Sequence, residues 1–141
     1  MNEIITHTGK LIDIFNLKIE DINIHDISFG LSNIARFSGQ VSFYSVARHS
    51  IHVASMLPDE LKLSGLLHDA SEAYIGDVIS PIKYKMKEYL EIEKYLMDII
   101  SKKWNLDAKN KLILEADKTA LDYEKSILFF KKEYRTENQK K

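Results

Sequence analysis

The chain contains no cysteine. Disulfides, thiolate nucleophiles and cysteine zinc sites are thereby excluded together, and any bound metal must be held by histidine and carboxylate. No apolar run approaches the roughly 20 residues that cross a bilayer, and the first residues lack the basic-then-apolar pattern of a secretory signal, so a cytoplasmic protein without membrane contact is expected. There is no basic block outside a charged tail at residues 131–141, and the formal net charge is −1. Tracking of long nucleic acid is therefore not expected, whereas a small anionic substrate remains open. Repeats, glycine-rich linkers and low-complexity segments are also missing before the tail.

What is present reads as one globular domain over residues 1–141. That length suits a single compact core, and 45% hydrophobic against 29% charged residues argues against disorder. Residues 1–24 form an N-terminal extension with two short β-branched stretches around Thr8-Gly9-Lys10, which predicts a small β-hairpin. Beyond it the pattern is helical, so the expected fold is mostly α, a helical bundle. Ile27, Leu31 and Ile34 mark a first helix from Asp26; Ser45 caps a second that runs to Met56; Asp59 caps a third that passes directly into His68 and Asp69 before Gly76 releases the chain. Ser80 and Pro81 are expected as N-cap and first residue of a stretch to Trp104 that breaks near Lys87, and a last helix is expected from about Asp107 to Phe130.

Ionisable groups on apolar stripes are the informative exceptions, because an unpaired buried charge costs several kcal/mol, as a rough figure, or shifts its pKa. Asp117 has Ile113, Leu114, Ala120 and Leu121 three and four residues away and needs a cationic partner. His49 lies between Val46 and Val53 on the core side of its helix, a position where a lone histidine is more often a satisfied core residue. His68 and Asp69 are adjacent, so both can lean toward one ion without completing its shell, and other helices must supply the rest. Gly65, one turn earlier, is expected to leave open space on that face. Glu72 and Asp77 follow close behind; away from such a pair they would read as solvated helix-end carboxylates.

A distant His, a His-Asp pair and a distant Asp form the pattern of HD-domain phosphohydrolases, which this sequence resembles at His49, His68-Asp69 and Asp117. The resemblance extends to Ala35-Arg36-Phe37-Ser38-Gly39, to Phe43-Tyr44-Ser45-Val46-Ala47-Arg48-His49-Ser50, to Leu67 through Asp77, to Ser80-Pro81-Ile82-Lys83 and to Glu115-Ala116-Asp117. These blocks look like the 5′-deoxynucleotidase branch and related phage-type deoxynucleoside triphosphohydrolases, and they cover roughly residues 22 to 128. Arg48 departs from the family pattern beside the first histidine, which bears on the pocket rim.

The resemblance implies an HD-domain enzyme that hydrolyses the 5′ phosphate ester of a nucleotide and commonly assembles as a homo-oligomer. His49, His68, Asp69 and Asp117 would be the metal ligands; mixed nitrogen and oxygen ligation suits manganese, cobalt, iron or zinc better than magnesium. Glu72 and Asp77 would be catalytic, orienting water and protonating the leaving 5′ oxygen in an order the sequence leaves open. Arg36 would clamp phosphate, against the plainer alternative of a surface ion pair, and Lys83 would add charge to the substrate-binding side. His52 reads more simply as an ordinary histidine than as a support for His49, and Phe37 and Tyr74 are base-pocket candidates that are more often core. The competing functions are a non-catalytic nucleotide-binding regulator and a hydrolase of a signalling nucleotide on the same scaffold.

Overall fold

A computed structural model describes residues 2–130; the charged tail expected at 131–141 lies outside the described residues. Strands β1 (Glu3–Ile5) and β2 (Leu11–Asp13) pair antiparallel with Ile4 opposite Ile12, which is the expected hairpin. Its turn is tied to the helical body by Asp26, whose carboxylate accepts from the Thr8 amide at 2.8 Å and the Thr8 hydroxyl at 3.2 Å.

Helix α1 spans Ile24–Asn33 and begins earlier than its apolar stripe indicates, because the Asn23 side chain accepts from the amides of His25 and Asp26. Helix α2 (Val46–Ser55) has the expected Ser45 cap, whose hydroxyl accepts from the Arg48 amide at 3.0 Å. Between them an isolated bridge joins Ala35 to Ser45, and Phe37, Ser38 and Gly39 all take positive φ of 57°, 52° and 72°. The Arg36 amide donates to the Tyr44 carbonyl at 2.9 Å, so this tight left-handed turn is closed at its base.

Helix α3 covers Asp59–Leu66 and does not continue into the His-Asp pair as expected. Residues 67–71 instead form turns with i→i+3 bonds, from Ala70 N–H to Leu67 O and from Glu72 N–H to Asp69 O, each 3.0 Å. A turn of this kind rotates side chains further per residue than an α-helix does, which spreads His68 and Asp69 around the site. Helix α4 (Glu72–Ile75) follows and stops at Gly76, whose φ of 81° suits glycine. Helix α5 (Ser80–Lys83) and α6 (Lys87–Trp104) show the expected break, but Ile79 stands at the N-cap position and Ser80 makes no capping bond. Helix α7 (Lys111–Lys125) starts later than expected, at an Asn110 cap, and continues as a π turn over Ser126–Phe130.

Two apolar clusters hold these helices together, each large side chain contributing about 1.5–3 kcal/mol on burial. One gathers Ile22, Ile27, Leu31, Val46, Leu67 and Ile100; the other gathers Val53, Leu57, Leu61, Ile113 and Ala120. Helix α2 contributes Val46 to the first and Val53 to the second, and His49 lies fully buried between those two anchors. The expected opening beside Gly65 is absent: a Cβ there would lie 2.2 Å from Leu57 Cδ1, so the missing side chain lets α3 close onto the chain after α2.

Candidate metal centre

Four side chains from three stretches of chain converge. His49 comes from α2, His68 and Asp69 from the turn after α3, and Asp117 from the middle of α7; one donor atom from each lies within 4.8 Å of all the others. His49 Nε2 is 2.6 Å from Asp117 Oδ1, and His68 Nε2 is 3.4 Å from that same oxygen and 3.2 Å from Asp69 Oδ2. Asp117, expected on a fully apolar face, has Ile113 and Ala120 buried beside it but Leu114 exposed, and its partners are the two imidazoles.

The two Nδ1 atoms are tied in the opposite direction. His68 Nδ1 donates to the Gly65 carbonyl at 2.6 Å, and His49 Nδ1 donates to Glu124 Oε1 at 2.5 Å. A hydrogen held on Nδ1 makes Nε2 the nitrogen that ligates once its own proton is lost, the tautomer that metal ligation requires. Two inward Nε2 atoms and two carboxylates are therefore a donor set that fits a divalent ion of borderline hardness.

Electrostatics within the cluster follow from crowding. Burial alone would depress the His68 imidazole, but Asp69 and then Asp117 outweigh it and push it up to about 10. His49 is likewise raised, burial being outweighed by Asp117 and Glu124. Burial opposes the charged form of Asp117, yet the His49 and His68 hydrogen bonds hold its carboxyl well below the usual range; Asp69 is lowered against burial by the His68 charge. A metal entering this nest displaces protons from the imidazoles.

The carboxylates open onto a cleft of about 470 Å³ lined by Arg36, Phe37, Asp69, Glu72, Asp77, Lys83 and Asp117 among others. All the expected site residues face it except the two histidines, which lie behind the carboxylates. Glu72, 4% exposed, has its carboxyl pushed up to about 11 by burial, by the Asp69 charge and by Asp77. Lys83 pairs with Glu93 at 3.1 Å; burial would lower its ammonium, and Glu93 outweighs burial and raises it. Helix α5 has only four residues, too few for its N-terminus to serve as an anion site beside Lys83.

Arg36 is neither a surface pair nor unattached. Its Nε and one Nη donate to Glu124 Oε2 at 3.1 and 2.8 Å. Glu124 is completely buried, and the sequence reading passed over it. Arg48 does not reach the cleft rim; its guanidinium lies over the Tyr44 ring at 4.6 Å. Tyr74 packs with the first core cluster, not in the cleft, whereas Phe37 lines the cleft and meets Phe129 edge to face at 5.3 Å. His52 stands against Tyr123, outside the nest.

Comparison with known proteins places the chain in a family. A family model described as YfbR-like 5′-deoxynucleotidase matches residues 15–139. Among curated relatives, the uncharacterized protein YfdR of Escherichia coli (strain K12) is 38% identical over 107 residues, covering 75% of this chain and 60% of its own length. An uncharacterized protein of Rhodobacter capsulatus is 34% identical over 112 residues, covering 72% of this chain and 57% of its own length. The chain thus spans less than two thirds of the length of these relatives.

Proposed function

The chain belongs to the YfbR-like 5′-deoxynucleotidase family, and from that premise we propose that it is a divalent-metal-dependent phosphohydrolase cleaving the 5′ phosphate ester of a deoxynucleotide. The products would be the nucleoside with phosphate or, from a triphosphate, with triphosphate. The observation that carries this reading is the opening of a four-donor nest onto a cleft that is also lined by two cationic side chains and the buried Glu72. A cleft of this size lies in the range of about 300–1,000 Å³ usual for small-molecule sites.

His49, His68, Asp69 and Asp117 would hold the ion, with manganese, cobalt, iron or zinc favoured over magnesium by the paired imidazoles. When bound, such an ion supplies Lewis-acid polarisation of a phosphoryl oxygen and acidifies a coordinated water. Arg36, lining the cleft, offers its remaining N–H groups to a non-bridging phosphate oxygen. Lys83, lining the same cleft, adds positive charge. Glu72, whose carboxyl burial and the Asp69 charge push up, is the group suited to deliver a proton to the departing 5′ oxygen, and Asp77 lines the cleft beside it.

The test is a panel of deoxynucleoside mono- and triphosphates assayed with the purified protein in Mn²⁺, Co²⁺, Fe²⁺, Zn²⁺ and Mg²⁺, with elemental analysis of the same preparation. Metal-stimulated release of nucleoside is the expected result, and the co-product separates nucleotidase from triphosphohydrolase. Absence of turnover on every substrate in every metal would overturn the proposal.

A further inference from the structure

We infer that Glu124 is a positioning residue that sets the metal-ligating tautomer of His49 with one carboxylate oxygen and aims Arg36 into the cleft with the other; this rests on the phosphohydrolase reading above. Glu124 lies near the end of α7, two turns beyond Asp117, and is 0% exposed. A carboxylate so deeply placed is costly unless each oxygen is matched. Both are: Oε1 accepts from His49 Nδ1 at 2.5 Å, and Oε2 accepts from Arg36 Nε at 3.1 Å and from an Arg36 Nη at 2.8 Å.

The two contacts do different things. The first fixes a hydrogen of His49 on Nδ1, so that Nε2, which donates to Asp117 Oδ1 at 2.6 Å, is the nitrogen left to ligate once its proton departs, and the ring cannot turn away. The second neutralises the buried charge and immobilises the guanidinium from behind. Nε and one Nη are spent on Glu124, and the other N–H groups of Arg36 have no partner among the described residues while the side chain lines the cleft. One carboxylate therefore spans the gap between the donor nest and the anion-binding wall, and α7 carries both Asp117 and the group that orients its neighbour.

A change of Glu124→Gln preserves shape but cannot serve both partners. If its amide nitrogen faces His49, Nδ1 must accept and the hydrogen moves to Nε2, which abolishes ligation. If the nitrogen faces Arg36, two donors oppose each other and the guanidinium loses its anchor. Calorimetric titration with Mn²⁺ is expected to show E124Q binding about 10- to 100-fold more weakly than the unsubstituted protein. At Mn²⁺ concentrations that saturate the variant, kcat on a deoxynucleoside monophosphate should recover in part while KM stays raised several-fold, because Arg36 remains unanchored. A purely structural role would lower the melting temperature and leave the Mn²⁺ affinity of the folded protein alone. Glu124→Asp, which keeps the charge and withdraws it by one methylene, is the second variant and decides the matter if E124Q does not fold; it should weaken Mn²⁺ binding in the same direction. Folded E124Q or E124D with unaltered Mn²⁺ affinity overturns the inference. Unsubstituted protein that binds Mn²⁺ without hydrolysing any nucleotide would overturn the proposed function and leave the Mn²⁺ comparison to decide Glu124; unsubstituted protein that binds no Mn²⁺ would overturn both.

Discussion

The two histidine walls of the nest solve the same problem with different materials. On the His68 side a backbone carbonyl, that of Gly65, accepts the Nδ1 hydrogen at 2.6 Å; on the His49 side a buried side-chain carboxylate does so at 2.5 Å. The carbonyl is neutral and its place is set by helix packing, so the His68 wall depends on how closely α3 meets the chain ending α2. The carboxylate is charged and needs its own counter-ion, so the His49 wall depends on Arg36. The contrast teaches that one wall is held by steric fit and the other by electrostatics, and the two should fail in different ways.

The heaviest blow removes what the walls share. Asp117→Ala deletes the oxygen that both Nε2 atoms face, and Mn²⁺ affinity should fall by more than about 100-fold with hydrolysis at background, read by calorimetry and the nucleotide panel. Next, Glu72→Gln separates chemistry from metal holding on the His68 side: turnover should drop by about 10²–10⁴ while Mn²⁺ affinity stays close to that of the parent. The same variant should be more stable than the parent in the metal-free state. Burial and neighbouring carboxylates raise the Glu72 carboxyl from 4.5 to about 11, so its protonated form fits the fold at acid pH, and stability is lost as pH rises and the unfolded chain ionises first. Thermal melts of E72Q and parent should therefore nearly coincide at pH 4 and separate in favour of E72Q at pH 8; parallel melts would break this account.

Gly65→Ala probes the steric wall. Its Cβ meets Leu57 Cδ1 at 2.2 Å, so Leu57 or the helix must shift, at about 1–3 kcal/mol by chemical denaturation, and the displaced carbonyl should weaken Mn²⁺ binding by up to about 10-fold. Ser45→Ala is the mildest test and sharpens the contrast. It removes the α2 cap at a cost of about 1 kcal/mol, but since His49 is held from α7 and not by the cap, Mn²⁺ affinity should be unchanged.

The parts legible from sequence were those with a local signature. The hairpin announces itself through β-branched runs around Thr8-Gly9-Lys10, and the helices through apolar spacing. His49, His68, Asp69 and Asp117 are visible because ionisable groups interrupt those spacings, and the structure gathers them. Glu124 carries no such mark, because Asp122 and Lys125 beside it give the segment a charged composition with no sign of burial. A signal was nevertheless present: Ile113, Ala116, Ala120 and Glu124 fall at helical spacing on one stripe, and all four are buried. Gly65 was misread because a missing side chain signifies open space or close contact equally well until the neighbouring helix is placed. The break after Leu66 was invisible for a related reason, since i→i+3 turns and α-helix share the same short-range apolar pattern.

The bridge between Ala35 and Ser45 has a consequence for how the cleft can diversify. It pins the loop at both feet, so the arginine near one foot and the capped helix beyond the other keep their register whatever lies between. Insertions or replacements at residues 40–43 would leave Arg36 and the Ser45 cap in place, because the bonds from the Arg36 amide to the Tyr44 carbonyl and from the Val46 amide to the Ile34 carbonyl close the arch beneath them.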